Sequence, residues 1–290
     1  MARTKLYPSY LITGASSGIG HALALEFAKR ARDANVPLAL AITARREQAL
    51  NELREAIIKI HPTCVVVVKR LDVTSGVETI RACIDECHAA MGPIHCFVVN
   101  AGVATLLRDI GGDGDFARDA MVIQTNVLGS MATVDAAVRY IKSNGINKLE
   151  PGAHIVGMSS ITGSLLFPRG SAYCVSKAAL NTYLRILALE TRNDNIAVTI
   201  LKPGWIDTPI SQHIAIRPFV ITAELGAELM ASHIARKTSE TFVPGWPWTL
   251  FAWFMSWAPE WLVLRVAKIA AVEGENFGSV IGGKQNEKKR

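Results

Sequence analysis

Ser9-Tyr10-Leu11-Ile12-Thr13 runs straight into Gly14-Ala15-Ser16-Ser17-Gly18-Ile19-Gly20, and a helical pattern then continues to Arg32. A short apolar strand, a glycine turn and a helix N-terminus form the phosphate-cradling half of a βα unit. Glycines let backbone approach a phosphate closely, and the first helical N–H groups and the helix dipole point at it. The spacing is G-x-x-x-G-x-G, which differs from the common dinucleotide fingerprint G-x-G-x-x-G. The loop therefore needs support from the rest of the chain.

That support is periodic. Strands are predicted at Ser9–Thr13, Leu38–Thr43, Cys64–Lys69, Ile94–Val99, His154–Met158, Ala197–Leu201 and Thr241–Val243. Helices are predicted at Gly18–Arg32, Glu47–Ile60, Gly76–Met91, Phe116–Ser143, Ala172–Arg192 and Ala223–Lys237. Strands alternating with helices give a doubly wound parallel α/β sheet, and runs such as Cys64–Val68 have the two-sided apolarity of buried parallel strands. Ligands of such sheets bind beyond the carboxyl ends of the strands. Chemistry is therefore expected just after Thr13, Thr43, Lys69, Val99, Met158 and Leu201.

Each of those positions carries a usable group. After the second strand comes Ala44-Arg45-Arg46, with no acid before Glu47. NAD sites commonly hold the ribose 2′-hydroxyl with an Asp or Glu there, whereas guanidiniums suit a 2′-phosphate. NADP(H) is therefore expected ahead of NAD(H), with Arg45 as the nearer contact and Arg46 beside it. Asp72 and Val73 follow the third strand; Asp72 can accept from an adenine amino group or cap the next helix. Asn100-Ala101-Gly102 follow the fourth, where small residues leave room for ribose and nicotinamide.

Ser159 and Ser160 end the fifth strand, and Tyr173-Cys174-Val175-Ser176-Lys177 opens the next long helix. Tyr173 and Lys177, at i and i+4, share one face. Carbonyl reduction needs a hydride on carbon and a proton on oxygen. A free phenol, of pKa about 10, is a poor base at neutral pH, and an adjacent ammonium is expected to lower it. A serine hydroxyl at the strand end can stabilise charge on the substrate oxygen.

Taken together, these motifs resemble the short-chain dehydrogenase/reductases: T-G-A-S-S-G-I-G at 13–20, Asp72, N-A-G at 100–102, Asn126, Ser160, Y-C-V-S-K at 173–177 and P-G-W-I-D-T at 203–208. The resemblance spans about residues 6–245. It implies a seven-stranded sheet of order 3-2-1-4-5-6-7 in a Rossmann-like domain over 1–245. It further implies Tyr173 as acid/base, Lys177 as its partner and ribose ligand, Ser160 rather than Ser159 as the substrate-orienting hydroxyl, and Asn126 as holder of a water leading from Lys177 to solvent. The implied dinucleotide site comprises Gly14, Ser16, Ser17, Gly18, Ile19, Gly20, Arg45, Arg46, Asp72, Val73, Asn100, Ala101, Gly102, Tyr173, Lys177, Pro203, Gly204, Ile206 and Thr208, the last binding the carboxamide. A homodimer or homotetramer through helices near 115–143 and 172–192 is also implied. Val99 stands where many members carry a first asparagine.

The remaining features bound the function. The net charge of +6 includes +3 from Lys284–Arg290 (four basic residues, one acid), and the body shows no clustered basic face of the kind that binds nucleic acid. Five cysteines without a C-x-x-C pair read as reduced apolar filler in a cytosol-facing protein. Tyr10-Leu11-Ile12 is too short for a signal peptide. Pro209–Thr222 is expected to be a substrate lid, made apolar by Ile210, Ile214, Ile216, Phe219 and Val220, with His213 facing solvent. An apolar lid suits a hydrophobic carbonyl or alcohol. A catalytically silent dinucleotide sensor on the same fold is the alternative reading.

Residues 246–290 form a separate Trp-rich extension with a basic tail, and Trp246–Ala258 holds no charge. Pro244, Pro247 and Pro259 interrupt it, so a membrane span is not expected. It is expected either to pack over the cleft or a partner subunit, the favoured reading, or to lie peripherally on a membrane surface.

Overall fold

The computed structural model describes residues 6–104, 110–111, 116–212, 214 and 217–271. His213, Ile216 and the basic tail lie outside the described residues. Seven parallel strands form one sheet in the order β3-β2-β1-β4-β5-β6-β7. They are β1 (Ser9–Thr13), β2 (Ala39–Ala44), β3 (Val65–Arg70), β4 (Cys96–Val99), β5 (Ala153–Met158), β6 (Ile196–Pro203) and β7 (Glu240–Val243). Helices α1 (Gly18–Ala34), α2 (Glu47–Ile60), α3 (Val77–Met91), α4 (Phe116–Ile123), α5 (Ser130–Ser143), α6 (Ser171–Glu190) and α7 (Ala223–Ala235) connect them.

Both faces of the sheet are covered. On one side Leu23 and Phe27 of α1, Leu50 and Ile57 of α2 and Met230 of α7 pack on β1 and β2, with Phe27 stacked on Tyr10 at 4.0 Å between ring centroids. On the other, Ile80 and Ile84 of α3, Val134 and Tyr140 of α5 and Leu180 and Leu184 of α6 form the second core layer. Leu184 presses so closely on β5 that a Cβ added at Gly157 would lie 2.0 Å from its Cδ1. The four buried cysteines serve as filler in these layers, and all five thiols are free.

Three expectations are corrected. Cys64–Val68 was expected to lie in a strand buried on both faces. β3 instead occupies the sheet edge, is only partly covered and leaves Val65 exposed, because hydrophobicity alone does not say which strand ends the sheet. The single helix expected over Phe116–Ser143 is divided by a π-helical stretch, Gln124–Gly129. The side-chain amide of Asn126, in that stretch, bonds the Val103 backbone, so the widened turn carries a specific long-range contact. The prolines of the extension open helices instead of breaking them. In α8 (Gly245–Ser256) Trp246 keeps an extended backbone and regular helix begins at Pro247, a position where the missing N–H costs nothing. The Pro259 carbonyl accepts the first bonds of α9 (Glu260–Ala271).

Candidate active site

The crossover between β1 and β4 opens a cleft of about 360 Å³ above the carboxyl ends of the strands. Its dinucleotide half begins at the β1–α1 turn. Gly14 and Gly18 hold φ of +69° and +60°, values that other residues adopt only with strain. A Cβ on Gly14 would lie 2.8 Å from the Ala101 Cα, so the two loops touch. Thr13 braces them: its hydroxyl accepts the N–H groups of Asn100 (3.0 Å) and Ala101 (3.1 Å), while the Asn100 amide donates to the Thr13 and Gly14 carbonyls. Ser17, the N-cap of α1, makes no side-chain capping bond, and no acid lies in the first turn. The positive end of α1 is therefore open to an anion from the cleft.

Arg46 crosses to this turn, donating to the Ser17 hydroxyl at 2.7 Å and to Ser16 at 3.1 Å. Arg45 lies instead beside Asp72. Burial alone would raise the Asp72 carboxyl, but the Thr74 N–H (3.0 Å), the Thr74 hydroxyl (2.8 Å) and Arg45 outweigh it and hold the group below its ordinary value. Asp72 thus fastens the turn after β3 and does not cap α3, whose N-cap is Gly76. Arg45, Arg46, Asp72 and Val73 all line the cleft, as do Ile19, Asn100, Ala101, Gly102, Pro203, Gly204, Ile206 and Thr208. Thr208 sits over the N-terminus of α1, within van der Waals reach of a Cβ added at Gly18. Gly20 does not line the cleft. A Cβ there would meet the Asn100 amide and the Gly14 carbonyl, so its role is close packing behind the loop.

The reacting half faces this loop. Ser160 lies two residues beyond the end of β5, and Tyr173 and Lys177 lie in the first two turns of α6. The Ser160 oxygen accepts from the Thr162 N–H (3.2 Å) and hydroxyl (3.0 Å), which leaves its own O–H to donate into the cleft, where it meets Tyr173. Lys177 is buried, and its Nζ donates to the Met158 carbonyl at 2.8 Å, 5.6 Å from the Tyr173 ring centroid. Asn126 is fully buried and is not part of the cleft wall. Its amide pairs with both backbone groups of Val103 and reaches Ser176 at 3.1 Å. A Cβ on Gly102 would lie 3.2 Å from the Asn126 Oδ1 and 3.5 Å from the Lys177 Nζ, so these groups do converge.

The electrostatics differ from expectation. The Tyr173 phenol is not lowered by Lys177: burial pushes it up to about 12, with the Ser160 hydroxyl pulling the other way. Lys177 is itself lowered to about 8 by burial. Its hydrogen bond goes to the Met158 carbonyl, and desolvation of the phenol prevails. Thr13, Thr162, Met158 and Ser176 complete the site beyond the residues singled out in the sequence. Thr13 and Ser176 lie inside the motifs quoted, but Thr162 and the Met158 carbonyl carry no motif signal.

The left-handed glycines, the close loop contact and the open helix N-terminus fit a dinucleotide pyrophosphate, and Thr208 and the Pro203–Gly204 turn line the same cleft. Residues 9–217 match the model of the short chain dehydrogenase family. An uncharacterized oxidoreductase of Mycobacterium tuberculosis is 30% identical over 258 residues, covering 89% of this chain and 96% of that protein. The 11-beta-hydroxysteroid dehydrogenase 1A of Arabidopsis thaliana is 32% identical over 262 residues, covering 84% of this chain and 70% of that protein. A short-chain type dehydrogenase/reductase from Mycobacterium marinum superposes with a TM-score of 0.70 at 25% identity, covering 82% of this chain and 94% of its own. This chain is therefore an NAD(P)-dependent oxidoreductase of the short-chain dehydrogenase/reductase family.

Proposed function

We propose that the chain reduces a bulky hydrophobic ketone or aldehyde at the expense of NADPH. The observation that carries this reading is the convergence of the Ser160 hydroxyl, the Tyr173 phenol and the Lys177 ammonium opposite the Gly14–Gly20 loop. A bound nicotinamide would supply the hydride. Tyr173 holds the proton that the substrate oxygen must receive, and a phenol near 12 is protonated throughout the neutral range, the form that reduction consumes. The Ser160 O–H orients that oxygen and stabilises its developing charge. Lys177, charged below about pH 8, would donate to the ribose hydroxyls of the bound dinucleotide.

The preference for NADP rests on Arg45 and Arg46, on the absence of an acid at the end of β2 and on the Arg46 bonds to Ser16 and Ser17, which gather donors beside the loop. Arg46 is thus a candidate phosphate ligand alongside Arg45. The hydrophobic substrate rests on Ile161, Phe167, Trp205, Ile210 and Ile214 in the cleft wall, with Phe167 and Trp205 edge to face at 6.1 Å. The steroid activity in the name of the Arabidopsis relative points the same way.

The test is NADPH oxidation over a panel of sterols, retinoids, long-chain ketones and aromatic diketones. Tyr173→Phe should lose roughly 10²-fold or more in kcat while still binding NADPH. Wild-type turnover in that variant would remove Tyr173 from the mechanism. Arg46→Asp and Arg45→Asp should each weaken NADPH far more than NADH; equal losses would remove that arginine from the phosphate site.

A further inference from the structure

α8 and α9 present an unpartnered aromatic face. Leu250, Trp253 and Phe254 follow helical spacing along α8, the extended Trp246 precedes its first regular turn, Trp257 is its C-cap, and Trp261 continues the series into α9. Trp246 is 74% exposed, Trp257 80%, and Trp253 and Trp261 64% each. The opposite face is anchored by Trp248 and Ala252, both buried. Of the favoured sequence expectation, packing over the cleft or a partner subunit, the first half is met by one tryptophan of the five in this region. An exposed apolar surface of this kind marks an interaction site.

We infer that this face is a membrane-docking surface that lies in the interfacial region of an anionic lipid bilayer. Four observations select that occupant. Residues 241–259 contain no charged side chain, so α8 itself carries nothing that resists entry below the headgroups, and the first charge along the chain is the exposed Glu260 that opens α9. Four of the exposed residues are tryptophans, whose apolar bodies and indole N–H suit the boundary between acyl chains and water. α8 and α9 have 12 residues each, about 18 Å of helix, too short to span; among the described residues no helix is long and apolar enough to cross a membrane. Beyond the face the sequence supplies Arg265, Lys268, Lys284, Lys288, Lys289 and Arg290 against Glu260, Glu273, Glu275 and Glu287, 6 − 4 = +2 over residues 245–290 and 4 − 1 = +3 in the last seven, a charge complementary to anionic lipid.

The surface adjoins the cleft. Phe219 of the lid meets Trp248 edge to face at 6.0 Å, and Trp248 meets Phe251 at 5.8 Å. Phe219 holds a left-handed backbone (φ +56°), uncommon for an aromatic residue, and is 64% exposed. The lid, whose Ile210, Phe219 and Val220 are exposed, thereby meets α8 on its anchored side, opposite the exposed aromatic face.

Full-length chain should float with vesicles of phosphatidylcholine and phosphatidylserine, more weakly with phosphatidylcholine alone, and its tryptophan fluorescence should be quenched by brominated phosphatidylcholine. Trp253→Ser/Trp257→Ser changes only exposed side chains. It should keep the melting temperature and NADPH binding while lowering the partition coefficient by at least about tenfold, the factor that about 1.4 kcal/mol of lost burial produces. Three results would each overturn the proposal: no flotation of wild type with either vesicle; wild-type flotation of the variant; or a lipid-free dimer that the substitutions split without any vesicle binding, which would assign the face to a second copy. None of these readouts depends on the reaction.

Discussion

At the residue scale the site is built from groups that are individually unfavourable for stability. Burial of Lys177 lowers its folded pKa from 10.5 to about 8, so folding disfavours the proton that the free chain would carry. The penalty is complete below about pH 8, shrinks as pH rises from about 8 to about 10.5 and vanishes above that. Two and a half pKa units correspond to on the order of 3 kcal/mol. Lys177→Met should therefore abolish turnover yet raise the melting temperature of the cofactor-free protein by several degrees at pH 7. The gap should narrow toward pH 10, and thermal melts across that range check it; a variant that melts lower at pH 7 sinks the argument. The Y-x-x-x-K spacing placed Tyr173 and Lys177 on one helical face correctly. The direction of the phenol's shift was not legible, because it depends on the Met158 carbonyl that takes the Lys177 hydrogen bond and on the walls that exclude water.

At the element scale the β1–α1 turn is the component least tolerant of change. Gly14 combines a left-handed φ with a loop contact that leaves no room for a methyl group. Gly14→Ala should push the Asn100–Gly102 loop away and weaken dinucleotide binding by at least about tenfold, with the sheet intact. Titration of NADPH fluorescence alongside far-ultraviolet circular dichroism separates the two effects. Unchanged affinity would show that the loop yields without cost. This turn was readable in advance because glycine has few other reasons to recur at such spacing between a strand and a helix. The π-helical interruption at Gln124–Gly129 was not, because its partner, the Val103 backbone, lies on another element and leaves no mark on the periodicity of Phe116–Ser143.

At the scale of the whole molecule, Trp248 fastens α8 to the doubly wound core. Its indole covers Gly204, where an added Cβ would lie 2.2 Å from Nε1, and Gly204 lines the cleft. Trp248→Ala removes a buried ring and should cost about 3–5 kcal/mol of local stability. The loss should register as faster hydrogen exchange over 245–256 while β1, β4 and β5 stay protected. Trp248→Phe should cost far less, since the Nε1–H is buried without a partner among the described residues and its removal relieves a desolvated donor. Equal exchange in both variants would show that the ring's bulk does not hold α8 in place.

Strand–helix alternation, the glycine loop and the Ser160/Tyr173/Lys177 set are local patterns, and backbone periodicity together with the short reach of a βα turn translates them directly into topology and site. The sequence alone therefore determined the doubly wound α/β architecture and the place of the cleft, and its resemblance to the family implied the sheet order and the reaction class. Which arginine meets Ser16 and Ser17, how burial displaces the two titrations and which tryptophans face water were decided only in three dimensions. Each depends on neighbours distant along the chain, whose apolar contacts and excluded water no local pattern encodes.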